Sequence, residues 1–91
     1  MEYYVYLLMS IKNGTFYIGQ TNDLLTRFEY HNSGRSDYTK NKGPWVLVGF
    51  KRCLTRSSAM KEENRLKKLK NKYRLLEEFG LIPEDFTRFW Q

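Results

Sequence analysis

The sequence predicts an α+β fold: a small three-stranded antiparallel sheet packed with helices, in the order ββαβαα. Three observations predict it. Two stretches rich in aromatic and β-branched residues flank Asn13-Gly14, a strong hairpin signal. A short apolar run, WVLVGF, stands alone between polar segments. Two further stretches combine helical periodicity with helix start and stop residues.

Residues 3–10 and 15–21 form the first two strands. With Asn13 and Gly14 as the two central turn residues, position 12 pairs with 15, 10 with 17, 8 with 19 and 6 with 21. Side chains alternate along a strand, so one face carries Val5, Leu7, Met9, Ile11, Phe16 and Ile18. That face is wholly apolar and turns to the core. The other carries Tyr4, Tyr6, Leu8, Ser10, Tyr17 and Gly19, an aromatic surface tipped with hydroxyls. Tyrosines are common on half-buried strands beneath covering helices, so the pattern alone does not separate a packing surface from a site.

The segment TNDLLTRFEYHNSG opens on the cap residues Asn22 and Asp23 and closes on Gly34, a helix of about two and a half turns. Leu24 and Phe28 form its inward stripe. Arg27 and His31, spaced i,i+4, are neighbours on one flank. The pair suits a phosphate, because arginine grips oxygens bidentately and histidine passes a proton. It equally suits a surface arginine and a histidine favoured by the helix dipole. Residues 33–44 read as a polar, basic loop, and WVLVGF as the third and central strand. From Ser57 one long helix runs to Gly80, with an apolar stripe through Ala59, Leu66, Leu69, Tyr73 and Leu76. Pro83 opens a last short helix over PEDFTRFW.

At 91 residues the chain is one domain. Its 16 Lys+Arg against 10 Asp+Glu leave a net charge of +6, which favours a polyanionic partner, most often nucleic acid. A single cysteine, Cys53, rules out an internal disulfide and a cysteine-rich zinc site and suggests a reducing, cytoplasmic setting. The opening MEYYVYLLMS lacks a basic n-region, and its apolar run is shorter than the roughly 20 residues of a membrane span. Neither a signal peptide nor an anchor is expected, and no membrane partner.

Two features of the second helical pattern concern chemistry. Glu62 and Glu63 stand where the periodicity asks for an apolar residue, and such breaks tend to mark function. Glu63 could also simply pair with Lys67 at i,i+4, and periodicity does not choose between the two acids. One carboxylate is a weak metal site, although Mg²⁺ tolerates it by keeping most of its waters. Lys61, Arg65, Lys67, Lys68, Lys70, Lys72 and Arg74 crowd this helix, and Arg35, Lys40 and Lys42 crowd the loop before the third strand. Interleaved with Tyr38, Trp45 and Tyr73, these charges fit either a solvated face or a surface that tracks a nucleic-acid backbone.

These residues carry a resemblance. YVY at 4–6 and YIG at 17–19, an arginine in the next helix and a glutamate in a later one, resemble the signature of the GIY-YIG nuclease superfamily. YIGQTNDLLTRFEYHNSG, YTKNKGPWVLV and SSAMKEENRLKKLK look like its small standalone members, over roughly residues 3–72. The resemblance implies a metal-dependent endonuclease hydrolysing DNA phosphodiester bonds, with Mg²⁺ or Mn²⁺ as cofactor, either weakly specific for sequence or structure-directed, cutting at branches or flaps. A nucleic-acid-binding module without cleavage is the alternative. By position, Tyr6 matches the residue that orients water or phosphate, and Tyr17 the general base. Arg27 matches the residue that stabilises phosphate charge, His31 the proton-transfer assistant, and Glu63 the metal ligand. A free tyrosine has a pKa of about 10, so Tyr17 needs a nearby cation to act as a base. Arg35, Lys40, Lys42, Lys67, Lys68 and Lys70 are the expected nucleic-acid contacts. Three positions depart from the pattern: Tyr4 replaces the signature glycine, Gln20 stands where several members carry lysine, and Asn71 fits their asparagine spacing poorly. Residues 1–76 would form the nuclease-like domain and 77–91 a packed tail, whose Phe86, Phe89 and Trp90 would cap the core or meet a partner.

Overall fold

The computed structural model describes residues 2–90, with side chains to residue 87. Strand β1 spans Tyr3–Ser10, β2 Phe16–Thr21, helix α1 Leu24–Asn32 and β3 Trp45–Cys53. Helix α2 spans Arg56–Lys67, α3 Lys72–Glu78, and a 3₁₀ helix closes the chain over Pro83–Trp90. The three strands are antiparallel in the order β2-β1-β3, so β1 is central and β3 an edge. The expectation that WVLVGF is central is therefore overturned. Apolarity reports burial, and β3 is partly covered by helices without a second neighbouring strand.

The hairpin register also differs from the expected one. Tyr6 faces Gly19 and Leu8 faces Tyr17, a shift of two residues from the expected pairing. The turn is wider than two residues: Ser10 N–H donates to the Thr15 carbonyl, and Gly14 N–H to the Ser10 carbonyl, with Gly14 at φ 75°. Glycine takes this left-handed conformation without a Cβ penalty. Because the shift is even, it leaves every strand side chain on its expected face. Ile11 alone leaves the apolar set, since the wide turn carries it out to half exposure.

Both faces of the sheet are covered. Val5, Leu7 and Ile18 pack against Ala59 and Leu66 of α2 and Leu75 and Leu76 of α3, with Phe86 at the margin. Truncating Leu66 there would cost about 2–5 kcal/mol. On the opposite face Tyr6, Leu8 and Ser10 are also buried, beneath α1 and the loop that follows it. That surface is thus a second packing face, which the alternation pattern left outside the core.

The expected single helix over 57–80 is two. α2 ends at Lys67, and Asn71 starts α3 by accepting hydrogen bonds from the Tyr73 and Arg74 N–H groups. The break rotates the stripe. Tyr73, expected inward, is 48% exposed, and Leu75 is buried in its place. In α1, Asp23 caps Thr26 N–H, and the chain leaves through Gly34 at φ 81°, as its sequence indicates. The side chains of Phe89 and Trp90 lie outside the described residues.

Candidate active site

The second face of the sheet converges on one histidine. α1 places His31 over β1, where it is 2% exposed, and its Nε2 lies 2.9 Å from the Tyr6 hydroxyl. Its Nδ1 lies 2.9 Å from Thr39 Oγ1. The hydroxyls of Tyr6 and Thr39 can each donate or accept, so together they satisfy a neutral imidazole in either tautomer. Burial, and then the charge of Arg27, lower the His31 pKa to about 4, so the ring is neutral near pH 7. His31 was expected on the flank of α1. It is instead the buried residue of that helix, while Leu24 and Phe28 are half-buried.

Thr39 is a member that local sequence patterns did not single out. The loop that carries it is pinned to the sheet at several points. Trp45 Nε1–H donates to the Thr39 carbonyl, 3.0 Å. Asn32 brackets the Trp45 backbone, accepting from its N–H at 2.7 Å and donating to its carbonyl at 3.0 Å. The Ser10 hydroxyl donates to the Lys42 carbonyl. No residue near Thr39 announces these long-range bonds; the only signal is its place in the YTKNKGPW stretch.

The two tyrosines share this surface. The Tyr6 and Tyr17 rings stack at 6.2 Å, Tyr17 lies 4.6 Å from the His31 ring, and Tyr38 of the loop lies 5.3 Å from Tyr17. The ring of Tyr6 lies over Gly19, where a Cβ would run into its hydroxyl end. Gly19 is required there for space, because Tyr6 crosses β2 on its way to His31. Burial raises the Tyr6 pKa, and the Tyr17 and Glu63 side chains add to the rise while Arg27 opposes it. Tyr6 thus stays protonated at working pH. Arg27 is exposed, with its guanidinium 5.0 Å from the Tyr30 ring.

The two glutamates of α2 have separate surroundings. Glu62 meets Lys51 of β3 at 2.9 Å and Arg65 at 2.7 Å, and Glu78 of α3 binds the same two cations at 3.2 and 2.6 Å. Hydrogen bonds from Arg65 and Lys51 hold both carboxyls down to about 2. Glu62 is therefore committed to clamping α2 to β3 and α3. One residue on, about 100° round the helix, Glu63 leaves that network. Its side chain is 17% exposed and its carboxylate pairs with Lys67 at 2.5 Å, the i,i+4 contact its spacing allows.

Of the expected site residues, the structure brings Tyr6, Tyr17 and His31 into direct contact, while Arg27 lies by the Tyr30 ring and Glu63 pairs with Lys67. The expected nucleic-acid residues fall in two groups. Arg35 and Lys40 are exposed on the loop, and the Lys42 ammonium lies 4.1 Å from the Tyr38 ring centre. Lys67, Lys68 and Lys70 are exposed at the break between α2 and α3. Tyr38 from the first group and Lys67 and Lys70 from the second line one cavity beside Tyr17. Gln20 turns to the other face of β2, opposite Val5, and its Oε1 is buried without a hydrogen-bond partner among the described residues.

The fold defines the class of protein, a small α+β domain with a three-stranded antiparallel sheet. The family described as the GIY-YIG catalytic domain matches residues 2–76, and the chain belongs to it. UPF0213 protein OB0043 of Oceanobacillus iheyensis is 36% identical over 69 residues, covering 75% of this chain and 79% of that one. UPF0213 protein CPE1444 of Clostridium perfringens is 37% identical over 88 residues, 93% of this chain and 94% of that one. The solution NMR structure of UPF0213 protein BH0048 from Bacillus halodurans superposes with a TM-score of 0.58 at 34% identity. That match covers 96% of this chain and 94% of the other. GIY-YIG nucleases act on nucleic acid and are generally dependent on a divalent metal. Among the described residues no helix is long and apolar enough to cross a membrane.

Proposed function

We propose that the protein is a metal-dependent endonuclease that hydrolyses DNA phosphodiester bonds, through Tyr6, Tyr17, Arg27, His31 and Glu63. The observation that carries this reading is the convergence on one buried hydroxyl. Tyr6 is bonded to a neutral histidine and stacked on Tyr17, and the charges of one arginine and one carboxylate bear on its proton in opposite directions. A packing surface has no need of that combination, whereas phosphodiester hydrolysis depends chiefly on stabilised charge and positioned protons.

Among the described residues no three His, Cys, Asp or Glu side chains group as a metal site, so a resident ion would rest on Glu63. The donor chemistry fits Mg²⁺ or Mn²⁺. Glu63 offers a hard oxygen that already holds a cation, the half-exposed and displaceable ammonium of Lys67. Such an ion would supply Lewis-acid polarisation of the phosphate.

The chain's own groups do the remainder. Arg27 holds non-bridging phosphate oxygens and balances the charge that develops on them. With His31 protonated at Nε2, the ring donates to Tyr6 while Thr39 donates to Nδ1. The Tyr6 proton is then free to bond and orient the attacking water or a phosphate oxygen. Tyr17, having given its own hydroxyl proton to solvent, takes as phenolate the proton of that water as its oxygen attacks phosphorus. The opposite phosphorus–oxygen bond breaks, and the departing oxygen takes a proton from solvent. The lysines of the loop and of the α2–α3 break contact flanking phosphates, with DNA the favoured nucleic acid and the cytoplasm the expected compartment.

Wild type and Glu63→Ala should be assayed on linear, single-stranded and branched DNA with Mg²⁺, with Mn²⁺ and with EDTA. Wild-type cleavage that vanishes in EDTA and in the variant is the expected result. Salt-sensitive binding with no product on any substrate would replace the nuclease with a non-catalytic nucleic-acid-binding module.

A further inference from the structure

The ring of His31 is satisfied in either tautomer, but its neighbours are not. A neutral imidazole has one N–H and one lone pair, so one flanking hydroxyl donates to the ring and the other accepts from it. Each hydroxyl carries a single proton. With the ring proton on Nδ1, the ring would donate to Thr39 Oγ1, 2.9 Å away, and the Thr39 proton would need another acceptor. A threonine in a turn ordinarily gives that proton to the carbonyl three or four positions back. Here other donors hold both. The Ser36 carbonyl accepts from the Lys40 N–H at 2.9 Å, and the Arg35 carbonyl from the Tyr30 hydroxyl at 3.2 Å. Thr39 is 1% exposed, and among the described residues its hydroxyl has no hydrogen-bond partner besides His31. The Nδ1–H tautomer therefore strands a buried donor, at the full cost of its desolvation.

The other tautomer strands nothing. Thr39 donates to Nδ1, and Nε2–H donates to the Tyr6 hydroxyl at 2.9 Å. The Tyr6 proton then points away from the ring, on the side where Tyr17 lies stacked. Hydrogen bonding with the Tyr17 side chain is among the influences that raise the Tyr6 pKa, as it should be when Tyr6 keeps its proton and shares it there. Thr39 is held for this task by bonds that do not involve His31. Trp45 Nε1–H grips its carbonyl, and Asn32 grips the Trp45 backbone. A β-branched side chain has few rotamers, so fixing that backbone also fixes the hydroxyl.

We propose that Thr39 is a positioning residue, whose hydroxyl holds His31 as the Nε2–H tautomer and so turns the Tyr6 proton away from the ring and toward the reacting phosphate. The tautomer does not depend on the nuclease reading; the use of the Tyr6 proton on a phosphate rests on it. His31 is the only histidine, so a long-range ¹H–¹⁵N spectrum of the labelled protein near pH 7 reads its two ring nitrogens directly. Wild type should show a protonated Nε2 and a bare Nδ1. A protonated Nδ1, or two nitrogens at averaged values, would overturn the proposal.

Variants then test whether Thr39 makes the choice. Thr39→Ser keeps the donor and should keep the wild-type signature. Thr39→Val keeps the shape and removes the donor, so its two nitrogens should move toward averaged values. A folded Thr39→Val protein with the wild-type signature would also overturn the role. Should that variant not fold, the wild-type spectrum decides alone. In cleavage, Thr39→Val should lower kcat about tenfold to a hundredfold at little-changed KM, the scale of a misdirected proton, and Thr39→Ser should restore most of it. An unmoved kcat in the valine variant would remove Thr39 from the positioning of Tyr6. Should wild type cut nothing, the nuclease reading fails while the spectra still decide the tautomer.

Discussion

The hydroxyl of Tyr6 and the Nε2 of His31 lie 2.9 Å apart with both side chains almost wholly withdrawn from water, at 3% and 2% exposure. Burial costs the charged imidazole more than the neutral one, so the folded-state pKa of about 4 lies below the ordinary value of 6.5. Above about 6.5 the ring is neutral whether the chain is folded or not. Below it the unfolded chain takes up the proton first, so this contribution to stability declines between about 6.5 and 4. His31 is the only histidine, and its ring resonances can be followed without assignment ambiguity. A titration midpoint near 4 is expected; a midpoint near 6.5 would mean that the ring is solvated and the Tyr6 contact transient.

Gly19 fails as alanine for reasons of space. A Cβ at 19 would run into the end of the Tyr6 ring, and that ring cannot retreat without leaving His31. Gly19→Ala should lower stability by about 1–3 kcal/mol, as overpacking does. It should also raise the His31 titration midpoint toward 6.5 as water reaches the displaced ring. Urea unfolding with the same histidine titration checks both. A stable variant with an unmoved midpoint would show that Tyr6 can cross β2 by another path.

Glu62 and Glu63 should separate stability from activity. Glu62 shares Lys51 and Arg65 with Glu78, and both carboxyls titrate at about 2, below the ordinary 4.5. Groups with depressed pKa contribute stability that is full above about 4.5 and lost as pH falls toward 2. Both are partly exposed, so solvent screening makes the effect smaller than the shifts alone imply. Glu62→Gln should therefore lower the melting temperature at pH 7 and flatten the decline of stability between pH 5 and 2, leaving cleavage intact. Glu63→Gln should do the reverse. Loss of cleavage in the Glu62 variant, at a temperature where it is folded, would place the metal ligand at the wrong glutamate.

Periodicity could not choose between these acids because both lie near the α2 stripe. Their difference comes from β3 and α3, which supply Lys51 and Glu78 from 11 and 16 positions away. Much else was legible for a related reason. The period of two in the strands survived the mistaken register, because a shift of two leaves every face unchanged. Asp23 and Gly34 bounded α1 by local chemistry. The features that escaped are those with distant partners. Asn71 breaks the long helix through its cap, yet an asparagine amid lysines is also an ordinary helix-surface residue. β3 lies at the edge because it pairs only with β1, a matter of strand order that no property of WVLVGF encodes. Thr39 reaches His31 only because Trp45 and Asn32 fasten the intervening loop.

Lys67 should act in opposite directions on the two ligands of the site. Its ammonium lies 2.5 Å from the Glu63 carboxylate while its stem borders the cavity beside Tyr17. On the proposed reading a divalent ion and this ammonium compete for one carboxylate, and a DNA phosphate would draw the ammonium away. Removing the charge in Lys67→Met therefore takes a competitor from the metal and a contact from the DNA. Metal affinity should rise several-fold, read by Mn²⁺ titration of the free protein. Affinity for DNA should fall, and the slope of log affinity against log salt should flatten by about one unit, the signature of a single lost phosphate contact. Lys67 is half-exposed but Glu63 is only 17% exposed, so the variant leaves a largely withdrawn carboxylate without its cation and should lower stability by about 1–3 kcal/mol. A fall in both affinities would mean that Lys67 positions Glu63 for the ion instead of excluding it, and the carboxylate would then need its lysine in place before the metal arrives.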